Sequence, residues 1–167
     1  MTGTNHALTG AVIALAVKKP ELAIPLAFLS HFVLDAIPHY NPPNVQRKFF
    51  TNFSDGWAKK LAFPSFRAIF AGDMLLLLLV ISLIPLAHPL DISPWTIFFS
   101  MLAAISPDFI GGRFFIYRIL KIPKKPNKIS WFTGLHHWFQ WMERPWGIFV
   151  EIAWFFLMLL LIHNLVT

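Results

Sequence analysis

Residues 66–87 read FRAIFAGDMLLLLLVISLIPLA, and residues 146–166 read WGIFVEIAWFFLMLLLIHNLV. A helix needs roughly 20 apolar residues to cross about 30 Å of hydrocarbon, and both stretches meet that length. We therefore predict that each forms a membrane-spanning helix. Together they favour an all-α integral membrane protein.

The composition of the whole chain agrees with this prediction. Of its 167 residues, 56% are hydrophobic, 16% are aromatic and only 13% are charged, which is too apolar for an ordinary soluble domain. The length suits one domain, which we assign to residues 1–167. The chain has no cysteine, so disulfides, thiolate metal sites and cysteine nucleophiles are excluded. We attribute the net charge of +6 to membrane topology and anionic lipid headgroups, and we expect no nucleic-acid partner.

Three further apolar segments complete the predicted bundle. Residues 92–111 are long enough to cross, although Pro94 and Pro107 should bend the ends of that helix. Two shorter segments are joined by the polar turn KKPE at 18–21, which is typical of a helical hairpin. The prediction is a polytopic membrane bundle of about five helices, at about 5–18, 21–38, 66–88, 92–111 and 146–166.

The basic residues predict the orientation of this bundle. All but Lys18 and Lys19 of the 14 Lys and Arg residues fall in or beside two polar loops, residues 39–65 and 112–145. Cytoplasmic loops carry such an excess of positive charge, so both loops and the amino terminus are predicted to be cytoplasmic. The compact helical plan points to a prokaryotic plasma (inner) membrane.

A possible metal site begins with the sequence SHFVLD at 30–35. His31 and Asp35 are four residues apart, so they lie on one helix face and can offer two ligands to one ion. Without thiols, the chain offers imidazole and carboxylate ligands, which suit a divalent metal such as zinc, or manganese or iron. The alternative is a buried hydrogen-bonded pair that joins two helices.

The predicted topology brings more histidines and aspartates to the same end of the bundle. His6 starts the first helix, Asp108 ends the fourth, and His136 lies in the second cytoplasmic loop. The predicted metal ligands are therefore His6, His31, Asp35, Asp108 and His136. For His6 the alternative is a polar helix start, and for Asp108 a helix cap.

Three other residues are predicted to transfer the catalytic proton: Asp73, His39 and His137. Asp73 lies about two turns inside the third helix, where a structural hydrogen bond between helices is an equal alternative. His39 follows Pro38, so it can approach the site from the turn or be a solvated loop residue. His137 is adjacent to His136, and the sequence does not decide which of the two faces the metal.

Residues 131–142 form an apolar stripe at helical spacing and contain three tryptophans. This pattern predicts an amphipathic helix in the membrane interface, in contact with membrane lipids. Packing beneath the bundle is the alternative. If the helix is interfacial, the metal lies at headgroup depth, where Arg113, Arg118 or Arg144 could bind a phosphate.

The motifs Asn5-His6, Ser30-His31-x-x-x-Asp35, Ser106-Pro107-Asp108 and His136-His137 resemble those of a known family. It is the YdjM-type family of small inner-membrane proteins, described as membrane-bound metal-dependent hydrolases. In that family the Pro-Asp motif precedes the Ser-His-x-x-x-Asp motif, whereas here it follows. A looser similarity, limited to His-x-x-x-Asp with a nearby histidine, links the chain to zinc-dependent phospholipase C, an all-helical enzyme of phosphodiester hydrolysis.

This resemblance implies a hydrolase that acts on a phosphoester or ester bond of a lipid-like substrate at the cytoplasmic headgroup level. One alternative is a small transporter, channel or assembly protein that uses intramembrane His and Asp side chains for protons or cations. Another is a structural membrane protein whose polar pairs only join helices.

Overall fold

The computed structural model describes residues 1–42, 60–87, 91–119 and 131–167 of the chain, without the side chains of 87, 111–119, 133 and 137. The described part is mostly helical, as predicted. Its six α-helices are α1 (Gly3–Val17), α2 (Pro20–Asp35), α3 (Pro64–Leu83), α4 (Pro94–Ile119), α5 (Trp131–Phe139) and α6 (Gly147–Val166). Short 3-10 turns follow α3 at Ile84–Ala87 and α5 at Gln140–Met142.

The hairpin of α1 and α2 forms where the sequence predicts it. Lys18 adopts a left-handed conformation with φ of 60°, and its N–H donates to the carbonyl of Ala14, which closes the end of α1. Pro20 then begins α2, a position where its missing N–H costs no helical hydrogen bond. The two helices therefore follow each other with almost no loop.

The predicted loop at 112–145 is wrong at its start. Helix α4 continues to Ile119, because the residues after Gly111 and Gly112 include no proline and two glycines alone do not end a helix. The loop also contains α5, which agrees with the predicted amphipathic helix. Pro107 lies inside α4, so the helix runs through the position where we expected its polar end.

Among the described residues, two helices are long and apolar enough to cross a membrane, Pro64–Leu86 and Gly147–Val166. The apolar parts of α1 and α4, Gly3–Val17 and Pro94–Ile110, are shorter than a full crossing. By length and composition the structure thus contains two candidate spans.

Helix α1 forms the centre of the molecule and packs against α2, α3, α4 and α6. Its core positions are mostly small, with Ala7, Ala11 and Ala14 fully buried. Small residues allow helix backbones to approach closely. At Gly10 an added Cβ would lie 2.5 Å from the carbonyl oxygen of Ser100 on α4. The amino-terminal helix is therefore held tightly within the bundle.

A short parallel strand pair joins two parts of the chain that are distant in sequence. Strand β1 (His39–Tyr40) follows α2, and β2 (Glu143–Arg144) precedes α6, with His39 opposite Glu143. The N–H of Asn41 also donates to the carbonyl of Arg144, at 3.1 Å. This pair fixes the end of α2 beside the start of α6.

Candidate metal centre

Four side chains from three helices meet at one buried point. His31 and Asp35 project from α2, Asp108 from α4 and His136 from α5, and one ligand atom from each lies within 4.8 Å of all the others. These are four of the five predicted metal ligands. The described residues therefore contain a group that can hold a metal ion.

The distances within this group suit a single ion. The Nε2 atoms of His31 and His136 are 3.1 Å apart. Oδ2 of Asp35 lies 3.3 Å from the first and 3.0 Å from the second. Oδ1 of Asp108 lies 3.8 Å and 3.6 Å from the same two nitrogens. Tetrahedral zinc with bonds of about 2.0–2.1 Å places its ligand atoms ~3.3 Å apart, within the range of these distances.

The hydrogen bonds of His31 leave one of its nitrogens available to a metal. Its Nδ1 lies 2.8 Å from the carbonyl oxygen of Ala104, which can only accept, so Nδ1 carries the proton and donates. Nε2 then presents a lone pair toward Asp35 and His136. A ligating histidine usually donates its other N–H to a carbonyl or carboxylate in this way.

Asp35 uses its two oxygens differently. Oδ2 faces the two histidines and also accepts from the side-chain amide of Gln140 at 3.1 Å. Oδ1 points away and accepts from Nε2 of His6 at 3.2 Å and from the amino group of Met1 at 2.6 Å. His6, a predicted ligand, thus binds the far side of Asp35 and does not belong to the four-residue group.

The ring of His6 also helps to position the ring of His31. It stacks on the ring of His31 with centroids 4.1 Å apart and an interplanar angle of 20°. Together with its bond to Asp35, this contact holds both members of the His31–Asp35 pair. We assign His6 a positioning role.

The burial of the four ligands is uneven. The side chains of His31, Asp35 and His136 are almost completely buried, whereas 34% of the Asp108 side chain is exposed. A buried carboxylate needs compensating positive charge; the Met1 amino group supplies it at Oδ1 of Asp35, and a metal ion would supply more at Oδ2. Nδ1 of His136 makes no hydrogen bond within the described structure. The donor set, two imidazoles and two carboxylates, fits a divalent ion.

Two of the three predicted proton-transfer residues, Asp73 and His39, lie outside this group. The Asp73 carboxylate accepts from the N–H groups of Gly3 and Thr4, at 2.9 and 3.0 Å. These are unpaired donors at the start of α1, so Asp73 acts as a cap supplied by another helix. This is the structural alternative that the sequence left open. The side chain of His137 lies outside the described residues.

His39 lies at the edge of the site. Its Nδ1 donates to the carbonyl of Ile37 at 2.9 Å, and its Nε2 is 3.7 Å from Oε1 of Glu143. The same oxygen accepts from Lys60 at 2.7 Å. His39 is therefore one member of a small polar cluster, His39, Lys60 and Glu143.

A cavity of about 250 Å³ connects this cluster with the metal ligands. His39, Lys60 and Glu143 line it, as do Asp108 and Gln140. Asp108 is thus the ligand that a reactant in the cavity can reach, which agrees with its partial exposure.

No protein-family model, curated protein or solved structure matches this chain. The family resemblance of the sequence motifs remains a prediction, and the geometry of the site carries the functional argument.

Sequence reasoning missed three polar residues near the site: Gln140, Glu143 and Glu151. Glu151 lies in α6, is almost fully buried, and accepts from the N–H groups of Thr2 and Tyr40 at 3.1 and 2.9 Å. The sequence did offer a signal for Glu151: it is an acidic residue within an apolar span, and such residues rarely face lipid. Gln140 and Glu143 gave no such signal, since they lie in a polar segment.

The Glu143 cluster predicts a measurable pH dependence. Burial disfavours the charged carboxylate, but the Lys60 ammonium and the His39 imidazole lower the pKa of Glu143 from 4.5 to about 2. A lowered pKa stabilises the folded state above pH 4.5, and this contribution is lost as the pH falls toward 2. It amounts to at most about 3 kcal/mol.

The corresponding experiment compares the thermal unfolding of wild type and Glu143→Gln in detergent between pH 7 and pH 3. We expect wild type to be more stable at pH 7 and at least half of the difference to disappear by pH 3. A difference that stays constant over this range would show that the Glu143 carboxylate does not have a lowered pKa.

Proposed function

We propose that this chain is a membrane-embedded, metal-dependent hydrolase that cleaves a phosphoester or ester bond of a lipid-like substrate at headgroup depth. One observation carries the proposal. His31, Asp35, Asp108 and His136 form a compact ligand group, and Asp108 opens it to a cavity that can admit a reactant. Metal-assisted hydrolysis requires both features, a held ion and access to it.

The membrane part of the proposal places five helices in the bilayer, the two candidate spans α3 and α6 together with the shorter α1, α2 and the apolar part of α4, with the amino terminus in the cytoplasm. Its support is the exposed apolar surface, which is far larger than a soluble monomer carries. On α3 the outward leucines are 56–67% exposed: Leu75, Leu78, Leu79 and Leu83. On α6, Phe149 and Phe156 are 72% and 63% exposed. Contact with lipid hydrocarbon would remove the free-energy cost of exposing these apolar side chains to water.

Helix α5 supports the assignment to headgroup depth. Trp131, Trp138 and Trp141, on α5 and the turn after it, are 60–79% exposed, and His136 on the same helix is buried in the metal group. Tryptophan is enriched where one edge of a ring meets lipid and the other meets water. A single helix would then contact the interface with one face and hold the metal with the other.

The chemistry divides between the ion and the protein. A divalent metal, which we propose to be zinc with manganese or iron as alternatives, would polarise the reacting bond and make water more acidic. The chain orients the ligands: Ala104 fixes the tautomer of His31, Gln140 holds Oδ2 of Asp35, and His6 holds Oδ1. Asp108 faces the cavity and would meet the substrate.

His39 is the proposed proton-transfer residue. It lines the same cavity as Asp108, and because Nδ1 donates to Ile37, its Nε2 can accept a proton. The nearby Glu143 carboxylate would stabilise the charged imidazole that results. Asp73 has both oxygens engaged by backbone N–H groups and is less suited to this role.

The transporter, channel and assembly alternatives have less support. A proton or cation path needs polar groups along the whole membrane, but Met74 to Ile81 of α3 contains no polar side chain. The contacts among His6, His31, Asp35, Asp108 and His136 instead concentrate at one point.

A chelation experiment tests the proposed function. Purified protein in detergent should hydrolyse a chromogenic lauroyl ester or an alkyl phosphodiester, lose this activity after dialysis against a chelator, and regain it with added zinc, manganese or iron. We expect this result because the proposed hydrolysis depends on the metal ion, and the four ligand side chains cannot activate water without it. Activity that survives chelation, or no activity with any of these metals, would contradict the proposal.

A further inference from the structure

The cavity beside the metal ligands has two chemically distinct walls. One wall is polar and includes His39, Lys60, Asp108, Gln140 and Glu143. The other is mostly apolar but includes the Asp73 carboxylate, and its apolar side chains come from α3 and α4: Phe66, Phe70, Met74, Leu77, Ile105 and Phe109. A ligand that satisfies both walls must be amphiphilic.

The apolar wall is elongated. From Phe66 to Leu77 the lining residues follow α3 for ~16 Å, at 1.5 Å per residue. Leu77 and Ile105 belong to the buried core, so they lie at the inner part of the wall. An elongated apolar surface next to a polar one suits a hydrocarbon chain with its polar group at the metal ligands.

The volume limits how much hydrocarbon can enter. About 250 Å³ exceeds the roughly 150 Å³ of engineered apolar cavities that take up benzene. It is below the ~300–1,000 Å³ of pockets for drug-sized ligands. This space suits one slender chain better than two chains side by side.

From this geometry we infer that the substrate is a lipid with a single hydrocarbon chain, bound along α3 between Phe66 and Leu77 with its cleavable bond beside Asp108. The inference rests on the proposed hydrolase function, because it names the substrate class of that site. It further predicts that occupancy of the cavity requires no metal, since apolar contacts hold the chain.

Two neighbouring residues on α3 provide a matched pair of variants. Met74 lines the cavity, so Met74→Trp would fill part of the space. Leu75 is 67% exposed and is not among the residues that line the cavity, so Leu75→Trp adds the same ring on the exposed surface of α3. Ile69→Trp, nearer the Phe66 end of the cavity, serves as a second blocking variant if Met74→Trp does not fold.

The probe is 1-O-dodecylglycerol, whose ether bond a hydrolase does not cleave, and its two-chain analogue 1,2-di-O-dodecylglycerol. Native mass spectrometry of chelator-treated protein released from detergent measures how much of each probe remains bound. Wild type and Leu75→Trp should retain one single-chain molecule. The Met74→Trp variant should retain at least ~10-fold less, a loss of ~1.4 kcal/mol in binding, and the two-chain analogue should not be retained.

Equal retention by Met74→Trp and wild type, or preferred retention of the two-chain probe, would overturn the inference. Failure of the hydrolase proposal gives a different pattern. In that case the probe is still retained and displaced by Met74→Trp, although the protein shows no metal-dependent hydrolysis.

Discussion

Replacing His136 by alanine is expected to lower kcat/KM for the lauroyl ester on the order of a thousandfold. The substitution removes one of four ligand atoms, an imidazole nitrogen that lies 3.0 Å from Oδ2 of Asp35 and 3.1 Å from Nε2 of His31. The loss should appear mainly in kcat, because the hydrocarbon chain of the substrate binds elsewhere in the cavity. Steady-state kinetics with saturating metal measure it.

Two further variants show whether the loss of activity is specific to a metal ligand. Gln140→Ala keeps all four ligands and removes the amide that contacts Asp35 and His136, so its loss should be smaller, roughly 10- to 100-fold, and partly restored by excess metal. His163→Ala changes an exposed histidine at the far end of α6 and should have full activity. If His136→Ala is as active as His163→Ala, the ligand assignment is wrong.

The second large effect concerns stability and arises at Gly147. An added Cβ there would lie 2.2–2.6 Å from the backbone C, O and Cα atoms of His39. Both partners are backbone, fixed by the pairing of His39 with Glu143, so no side chain can move aside. We expect Gly147→Ala to lower the free energy of unfolding by about 3 kcal/mol, the upper part of the usual range for overpacking.

Gly72→Ala is the matched control for this variant. Gly72 also lies in a helix, but an added Cβ would meet nothing within 4 Å. Alanine is favoured over glycine inside a helix by roughly 0.5–1 kcal/mol, so this variant should be slightly more stable than wild type. Thermal unfolding in one detergent compares the three proteins. A Gly147→Ala midpoint equal to that of wild type would mean that the two backbones do not approach this closely.

The sequence predicted the centre of the candidate site because its ligands follow simple rules. His31 and Asp35 are one helical turn apart, and the distribution of Lys and Arg assigned Asp108 and His136 to the same end of the bundle. The structure brings these four together. His6 was expected as a fifth ligand, but sequence spacing does not reveal that its ring instead stacks on His31 and binds the outer oxygen of Asp35.

The surroundings of the site depend on contacts that no local pattern reveals. Gln140 lies at the end of the predicted amphipathic helix and Glu143 in the predicted loop, and their roles follow from the turn after α5 and from the pairing of β1 with β2. The Asp73 carboxylate accepts a hydrogen bond from the N–H of Gly3 because the start of α1 lies against α3. The helices, by contrast, were predictable from apolar length, and the largest error in their ends is where α4 continues through two glycines.

The most direct test of the central claim is elemental analysis of detergent-purified protein, comparing wild type with His31→Ala and Asp35→Ala, each shown to be folded by monodisperse elution. If the four residues hold a metal, wild type should contain a near-stoichiometric amount of zinc, manganese or iron, and both variants should lose it. Wild type that holds no metal even after reconstitution with added ions would contradict the metal centre and, with it, the proposed hydrolase.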